Sequence, residues 1–318
     1  MTTSIKPKQT KSWTFPTLKA FRDRHLKVAL ELDRYLHFPR KGKQTLDFFQ
    51  LRGLKKESSP YWLASNVHSR IAFMEIVERR FRKFLRSKPA SKMPMAMVTL
   101  LSKEFVIPIT EAETYDTSEL ASWTRRTLAG FNYIGMVEAA LIGNVRLSAE
   151  GKPEWVVHFH THCLVWDFDR KELANREIEI NRAFESWRPG ITVMKVTPTS
   201  PENCLKRLRY IFKGQLTGHK ISPKRAWEAA GRSGVPVRRE TGFFTFYSYP
   251  LRPAEMVRMV RVMANRTLDK LMLAGGPEGN ALYTEIRREA LLKVPRRHRE
   301  EEGQLFLDRT YPDDEDAA

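Results

Sequence analysis

The chain is poor in cysteine and has no long apolar run. Only Cys163 and Cys204 occur among its 318 residues, too few for a disulfide framework or a four-cysteine zinc site, which favours a reducing cytoplasm. The apolar runs are short and interrupted, and no apolar stretch follows the N-terminal lysines, so we expect neither a membrane span nor a secretory signal. A Gly-x-x-x-x-Gly-Lys-Ser/Thr phosphate loop is also absent, so we expect no nucleotide-driven motor of that class.

Acidic residues are scarce in both flanks of the chain. The net charge is +18, made of +15 over residues 1–95, zero over 96–215, +10 over 216–299 and −7 over 300–318. Because clustered lysines and arginines bind phosphates with little sequence preference, this distribution predicts that the flanks hold a polyanion and the middle carries the chemistry. A basic but merely solvated surface is the alternative.

Three of the eight histidines alternate within one apolar segment, residues 155–166. Its β-branched and aromatic residues predict a buried strand. Alternate positions on a strand share a face, so His158, His160 and His162 are expected to point the same way. Buried imidazoles need partners, and a divalent cation is favoured over a hydrogen-bonded polar strip.

The residues around this strand predict an α+β fold. Strands are expected at 96–101, 133–141, 154–166 and 191–196, and helices at 118–129, 170–187 and 201–213. The resulting order is that of a split βαβ (RRM or ferredoxin-like) antiparallel sheet with helices on one face, between mainly helical basic flanks. The predicted domains are a basic N-terminal region (1–95), the central core (96–215), a basic C-terminal region of mixed strand and helix (216–310) and an acidic disordered tail (311–318).

Basic residues also line two of the predicted helices. A helix within residues 60–87 has a basic face that either lies on DNA or caps the core. We expect DNA contacts from this helix and from the one at 201–213 at Arg79, Arg80, Arg82, Lys83, Lys206, Arg207 and Arg209, with Arg70 on the same basic face. Further on, an aromatic run at 242–249 is either a core strand or a base-stacking surface. Two helices are expected after it, at 253–273 and 281–292.

A turn-forming stretch, residues 148–152, predicts that the second and third strands form a hairpin. If the hairpin is centred near residue 150, Glu138 lies opposite His162, with Met136 and Ala140 as the alternatives if the register slips. Two histidines and one carboxylate suit a catalytic divalent ion.

A tyrosine and a lysine follow on the last predicted helix of the core. Tyr210 and Lys213 are three residues apart and are expected to share a helical face, with Lys206 one turn earlier. Nearby lysines favour the phenolate, which is a competent nucleophile. A surface pair without function is the alternative.

These two motifs together resemble the HUH endonucleases. The sequence His160-Thr161-His162 followed by Cys-Leu-Val, with Tyr210-x-x-Lys213 further on, looks like the single-tyrosine rolling-circle replication initiators of plasmids and phages. His158 matches a third histidine that the family often has, and residues 97–101 correspond loosely to its early strand motif. The resemblance covers residues 96–215. It implies that His160, His162 and Glu138 bind Mg²⁺ or Mn²⁺, that Tyr210 is the nucleophile, and that Lys213 orients metal or phosphate.

The resemblance implies that the protein nicks single-stranded origin DNA, leaving a 5′-phosphotyrosine and a 3′-OH primer, while the basic flanks bind duplex. A separate host helicase and polymerase would complete replication, without a membrane partner. Two departures stand out. Thr161 replaces a bulky apolar residue, so the ligand pair is either His160/His162 or His158/His160, and no second tyrosine or glutamate lies one turn from Tyr210. The alternatives are a transposase or relaxase, a phosphoesterase that uses water, and a non-catalytic single-strand-binding module.

Overall fold

The computed structural model describes residues 15–38, 45–55, 62–88, 93–145, 154–187, 191–228 and 237–293. Within these residues the chain is a mixed α and β structure. The helices are α1 (Leu18–His37), α2 (Phe48–Gly53), α3 (Val67–Arg86), α4 (Ser118–Thr127), α5 (Arg170–Ala183), α6 (Pro201–Ile211), α7 (Pro253–Met263), α8 (Leu268–Leu271) and α9 (Gly276–Leu292). The strands are β1 (Met95–Leu100), β2 (Val106–Pro108), β3 (Asn132–Val145), β4 (Glu154–Trp166), β5 (Met194–Thr199), β6 (Thr217–Glu228), β7 (Val237–Pro250) and β8 (Met272–Gly275).

The strands form one sheet in the order β5-β1-β4-β3-β6-β7, with β2 on β4 and β8 on β3. The pairs among β5, β1, β4 and β3 are antiparallel, whereas β6 runs parallel to β3. Along the outer edge of β3, β8 pairs with residues 133–136 and β6 with residues 141–143. Glu138 therefore lies between the two pairings, where a loop can reach its carboxylate from the side.

The four predicted core strands are present, three of them with changed bounds. The strand expected at 154–166 is β4, and the strand expected at 133–141 extends to Val145. The last of the four begins at Met194 instead of residue 191, because the Asn181 side chain binds the backbone nitrogen and oxygen of Met194, each at 2.8 Å. The same contact joins α5 to the edge strand β5.

The predicted core helices are also present, and each ends earlier than expected. α5 stops at Ala183 because Phe184 adopts an extended backbone conformation, with φ −122° and ψ 153°. At the start of α4 the Thr117 side chain makes no capping hydrogen bond. Asp116 fills this role, accepting a hydrogen bond from the Ser118 backbone nitrogen at 2.8 Å.

The two faces of the sheet carry different helices. On one face the Thr161 hydroxyl lies 3.2 Å from that of Thr124, which is on α4. On the other face the His162 ring contacts the Tyr210 ring of α6, with 5.2 Å between the centroids. The prediction that the core helices share one face is therefore wrong for α6.

Outside the core, the N-terminal region contains a 20-residue helix, α1. The predictions for the C-terminal helices change. The helix expected at 253–273 is divided into α7, α8 and β8 because the chain turns after Met263 and the Arg266 side chain binds the Ala112 and Tyr115 carbonyls. Residues 272–275 then pair with β3, and the last helix begins at Gly276, five residues before the expected start.

Some predictions concern residues outside the described ranges. Others concern domain boundaries, which remain predictions. The turn at 148–152 and the tail at 311–318 lie outside the described residues. The domain boundaries remain predictions, although the sheet itself continues past residue 215 into β6 and β7. The aromatic run at 242–249 lies on β7. Among the helices of the described ranges, none has both the length and the apolar character needed to cross a bilayer.

Candidate metal centre

Three buried side chains from two neighbouring strands converge on one point. One ligand atom from each of Glu138, His160 and His162 lies within 4.8 Å of the others. Glu138 is paired with His160 in the β3–β4 register, and Met136 with His162. The expected pairing of Glu138 with His162 is therefore wrong by two residues along the strand. A slip of two preserves the face because side chains alternate with period two, so the carboxylate still reaches both imidazoles.

Hydrogen bonds on the Nδ1 atoms fix how the two imidazoles point. His160 Nδ1 donates to the His158 carbonyl oxygen at 3.0 Å, and His162 Nδ1 lies 2.9 Å from the Thr99 hydroxyl. Their Nε2 atoms are consequently directed to Glu138 Oε2, at 3.9 Å and 3.7 Å. Such partners on the far nitrogen are what orient metal-binding histidines. Thr99, which faces His162 from β1, was missed as a site residue by the sequence analysis.

His158 lies on the same face but outside the ligand group. Its Nε2 donates to the Ser102 carbonyl at 3.0 Å, and its ring packs on Trp187 with 5.7 Å between centroids. Burial lowers the pKa of His158 to about 4, so the ring is neutral and already partnered. The geometry thus favours His160/His162 over His158/His160 as the ligand pair.

Burial and charge set the protonation state of the centre. Burial lowers the pKa of His160 and of His162 well below the usual range, and the Lys213 ammonium adds to the effect. Both imidazoles are therefore neutral, which is the form that binds metals. Burial raises the pKa of Glu138, against the opposing charge of Lys213. For Lys213, burial favours the neutral amine, but the Glu138 carboxylate outweighs it and the pKa is raised.

The predicted nucleophile and its lysine lie beside this group. α6 ends at Ile211, so Lys213 is in the following loop and not on the helical face shared with Tyr210, as had been expected. The loop nevertheless places Lys213 beside Tyr210, since Lys213 Nζ lies 4.1 Å from the centre of the Tyr210 ring and donates to Glu138 Oε2. Tyr210 is half-buried, with its ring against that of His162. One cluster thus holds both sequence motifs.

The threonine between the two ligand histidines belongs to the opposite face of the sheet. Thr161 is fully buried and its hydroxyl donates to Thr124, which in turn donates to the Leu120 carbonyl at 2.8 Å. A polar side chain is tolerated there because its hydrogen bond is made within the protein. The departure from the family pattern therefore concerns the packing of α4 and leaves the ligand face unchanged.

The residues predicted to contact DNA divide into two groups. Arg209 was predicted to contact DNA, but it is 3% exposed and its guanidinium binds Glu78, so it is unavailable to a phosphate. On α3, Arg82 also binds Glu78, and Arg79 and Arg80 bind Glu289 of α9. The contacts to acidic residues explain why this basic face carries less free charge than the sequence suggests. Exposed or half-buried positions remain at Lys83, Lys206 and Arg207.

Arg70 was also expected on the basic face of α3. The structure places it at 5% exposure, inside the protein, where it donates to the Ala64 and Phe212 carbonyls. Helical periodicity alone could not separate it from the exposed arginines, because the side chain turns toward the loop after α6.

The donor set fits a divalent cation. Two neutral imidazole nitrogens and one carboxylate could hold such an ion and would leave some of its coordination positions open. In comparisons with protein-family models, curated proteins and solved structures, no match to this chain was found.

Proposed function

We propose that this protein is a metal-dependent DNA endonuclease of the HUH kind, which nicks single-stranded DNA at a replication origin to start rolling-circle replication. The observation that carries the proposal is the meeting of two motifs distant in sequence. Tyr210 and Lys213 lie against Glu138, His160 and His162, although the two sets come from different elements. Neither motif alone is specific, and their convergence is what favours phosphoryl transfer to the tyrosine.

The sheet supports the proposal at the level of fold. The order β5-β1-β4-β3, with antiparallel neighbours throughout, is the order expected of a split βαβ core. Its two connecting helices, α4 and α5, line one cleft of about 330 Å³ that includes Trp123 and Ile180. We therefore infer an RRM-like nuclease core to which β6 and β7 add further strands.

In the proposed reaction Tyr210 attacks the scissile phosphorus. Glu138, His160 and His162 would hold a divalent ion, which would supply Lewis-acid polarisation of a phosphate oxygen. A bond forms between Tyr210 Oη and phosphorus while the bond from phosphorus to the 3′ oxygen breaks. The phenolic proton passes to solvent, and the leaving 3′ oxygen takes up a proton to become a 3′-OH. The Lys213 ammonium, next to the Tyr210 ring, stabilises negative charge on the phenolate and the phosphate.

The covalent product explains how the strand could later be rejoined. The phosphotyrosine diester retains the free energy of the broken bond, so attack by another 3′-OH reverses the reaction without ATP. In this proposal Lys206 and Arg207, on α6 before Tyr210, bind the flanking phosphates. The proposal also includes duplex binding by the basic flanks, a separate host helicase and polymerase, and a cytoplasmic location, where Cys163 and Cys204 stay free thiols.

The experiment that tests the proposal is a denaturing gel of the full chain with labelled single-stranded oligonucleotides from its own replicon, with Mn²⁺ or with EDTA. We expect a metal-dependent protein–DNA band that resists denaturation. Tyr210→Phe should abolish this band and leave DNA binding near wild type, because only the phenolic oxygen is lost. The matched control is Tyr247→Phe, at a tyrosine that is 41% exposed on β7.

The other outcomes select the alternatives. Cleavage without a covalent band would favour a phosphoesterase that uses water, and binding without cleavage would leave a single-strand-binding module. A transposase or relaxase shares the covalent band, and it would be distinguished by cutting transposon ends or transfer origins rather than the replication origin.

A further inference from the structure

We propose that His25 and Arg70 are positioning residues that hold the loop after α6, residues 212–216, so that it fixes the Glu138 carboxylate for metal binding. The inference rests on the proposed function, since the loop matters only if Glu138 is a ligand. It assigns a role in the site to the N-terminal region, which lies outside the segment that resembles the nuclease family.

Both residues act on the backbone of this loop. His25, on α1, has its Nε2 2.8 Å from the Lys213 carbonyl oxygen. Arg70, on α3, donates from Nη1 to the Phe212 carbonyl at 3.2 Å and from Nη2 to the Ala64 carbonyl at 2.8 Å. Two consecutive carbonyls of the loop are thus held by two different helices. Such contacts fix where the Lys213 side chain and the Gly214 amide point.

Gly214 is the position at which Arg70 and the loop fit together. Its φ is +68°, in the left-handed region, and a Cβ there would lie 2.5 Å from Cζ and Nε of Arg70. Only glycine allows this backbone conformation and this close approach at once. The guanidinium therefore packs directly on the loop backbone and leaves no space for it to shift toward α3.

The loop in turn donates hydrogen bonds to both carboxylate oxygens of Glu138. The Gly214 backbone nitrogen donates to Oε1 at 3.0 Å, and Lys213 Nζ donates to Oε2. Glu138 is open to the loop because neither β6 nor β8 pairs with that part of β3. The order of contacts runs from His25 and Arg70 through the loop to the carboxylate.

Burying these two side chains is costly, so they need a structural reason to be there. His25 is 1% and Arg70 5% exposed. Among the described residues no carboxylate lies within ion-pair distance of Arg70, and burial lowers its pKa to about 10, although the charge of the more distant Glu138 acts to raise it. An arginine without a carboxylate in direct contact is rarely buried. The hydrogen bond to the Phe212 carbonyl of the loop and the one to the Ala64 carbonyl compensate part of this cost.

The contacts of His25 allow a test that distinguishes the roles of its two ring nitrogens. Nδ1 lies 2.7 Å from the Phe21 carbonyl oxygen within α1, while Nε2 faces the loop. A neutral ring donates to only one of the two carbonyls, so the tautomer with hydrogen on Nε2 is the one that holds the loop. A glutamine places its amide nitrogen where Nε2 lies, and an asparagine places it where Nδ1 lies.

The experiment is isothermal titration of the metal-free full chain with Mn²⁺, with thermal melting of each variant alongside. We expect His25→Ala and His25→Asn to weaken Mn²⁺ binding by about 10-fold or more, the range found for residues that orient metal ligands. His25→Gln should retain most of the affinity. The control is His37→Ala on the same helix, whose Nδ1 likewise bonds the carbonyl four residues earlier, at 2.9 Å, but whose side chain is 75% exposed.

The alternative outcomes are distinct. If His25→Ala lowers the melting temperature but leaves Mn²⁺ affinity unchanged, His25 is only structural and the inference is overturned. If the His25 variants do not fold, Arg70→Lys takes their place, since lysine keeps the charge but cannot bond both carbonyls, and unchanged affinity there would likewise overturn it. A wild-type chain that binds no Mn²⁺ would overturn the proposed function, and the inference with it.

Discussion

Two of the three alternating histidines differ from the third in what their Nε2 atoms face. In His160 and His162 the Nδ1 atom has a partner, and Nε2 is directed to Glu138. In His158 it is Nε2 that is bonded, to the Ser102 carbonyl. A strand repeat alone places all three on one face. The division into ligands and non-ligand follows from which backbone and hydroxyl groups lie beside each ring.

This difference predicts unequal effects of three alanine substitutions on Mn²⁺ affinity. His160→Ala and His162→Ala each remove a ligand and should weaken binding by at least about 100-fold, more than the loss of an orienting partner. His158→Ala removes a neighbour that supports the strand and should weaken it by less than about 10-fold. Isothermal titration of the three variants measures this. A loss in His158→Ala as large as that in His160→Ala would shift the ligand pair by two residues.

Some residues of the site could be predicted from the sequence. Glu138 was found from the hairpin estimate even though the pairing was two residues off, because the face is preserved by such a slip. Thr99 and His25 were not found. Each is remote along the chain from the residue it contacts, and the position of one element against another is decided by packing, which local patterns do not contain.

At the level of elements, the periodicity of the sequence located the helices, but it did not show which elements pack against them. The basic residues of α3 were interpreted as a face that either contacts DNA or caps the core. Two of them instead face α9, where Arg80 binds Glu285 at 3.2 Å and Glu289 at 2.5 Å. Four residues separate these two glutamates, so they lie on one face of α9. The sequence showed complementary charges on both helices, but not that the helices pack together.

The contact between α6 and α3 depends on one buried ion pair. Arg209 donates to both oxygens of Glu78, at 2.6 Å and 2.7 Å, and to the Pro16 carbonyl at 2.6 Å. Arg82 binds Glu78 as well, and the arginines hold the pKa of that carboxyl below its usual value even though burial acts to raise it. The pair joins the helix that carries Tyr210 to the N-terminal region.

Removing Arg209 should therefore destabilise the fold rather than weaken DNA binding alone. Arg209→Met leaves Glu78 with one arginine and removes the donor that Arg209 Nη1 provides to the Phe15 and Pro16 carbonyls. This predicts a loss of about 3–5 kcal/mol in the free energy of unfolding. Urea denaturation of the metal-free protein measures it. Arg207→Met, on the same helix at a half-buried position, should cost less than about 1 kcal/mol. Equal stability of the two variants would contradict a stabilising role for the ion pair between Arg209 and Glu78.

For the whole molecule, the charge distribution and the burial of histidine have different consequences. The net charge of +18 is distributed mainly over the flanks. At the site, by contrast, four histidines are buried and neutral: His25, His158, His160 and His162. The flanks govern salt-dependent association with a polyanion. The buried imidazoles make the stability of the fold depend on pH.

The sign of that dependence follows from the directions of the pKa shifts. Burial lowers the pKa of His25 and of His158 from the usual 6.5 to about 4, and it also lowers those of His160 and His162 well below the usual value. Between these values the unfolded chain binds protons that the folded protein excludes, so stability is full above pH 6.5 and falls toward pH 4. Each histidine contributes a slope of about 1.4 kcal/mol per pH unit. Glu138, whose pKa is raised, opposes this with one proton against four.

We therefore expect the urea midpoint of the metal-free protein to fall steeply between pH 7 and pH 5. His158→Gln should flatten the slope by about one proton, because its amide can replace the hydrogen bond to Ser102 without titrating. His37→Gln, at an exposed position, should leave the slope unchanged. A midpoint that stays constant from pH 7 to pH 5 would mean that the imidazoles take up protons in the folded protein as they do in the unfolded chain. The lowering of their pKa values by burial would then be contradicted.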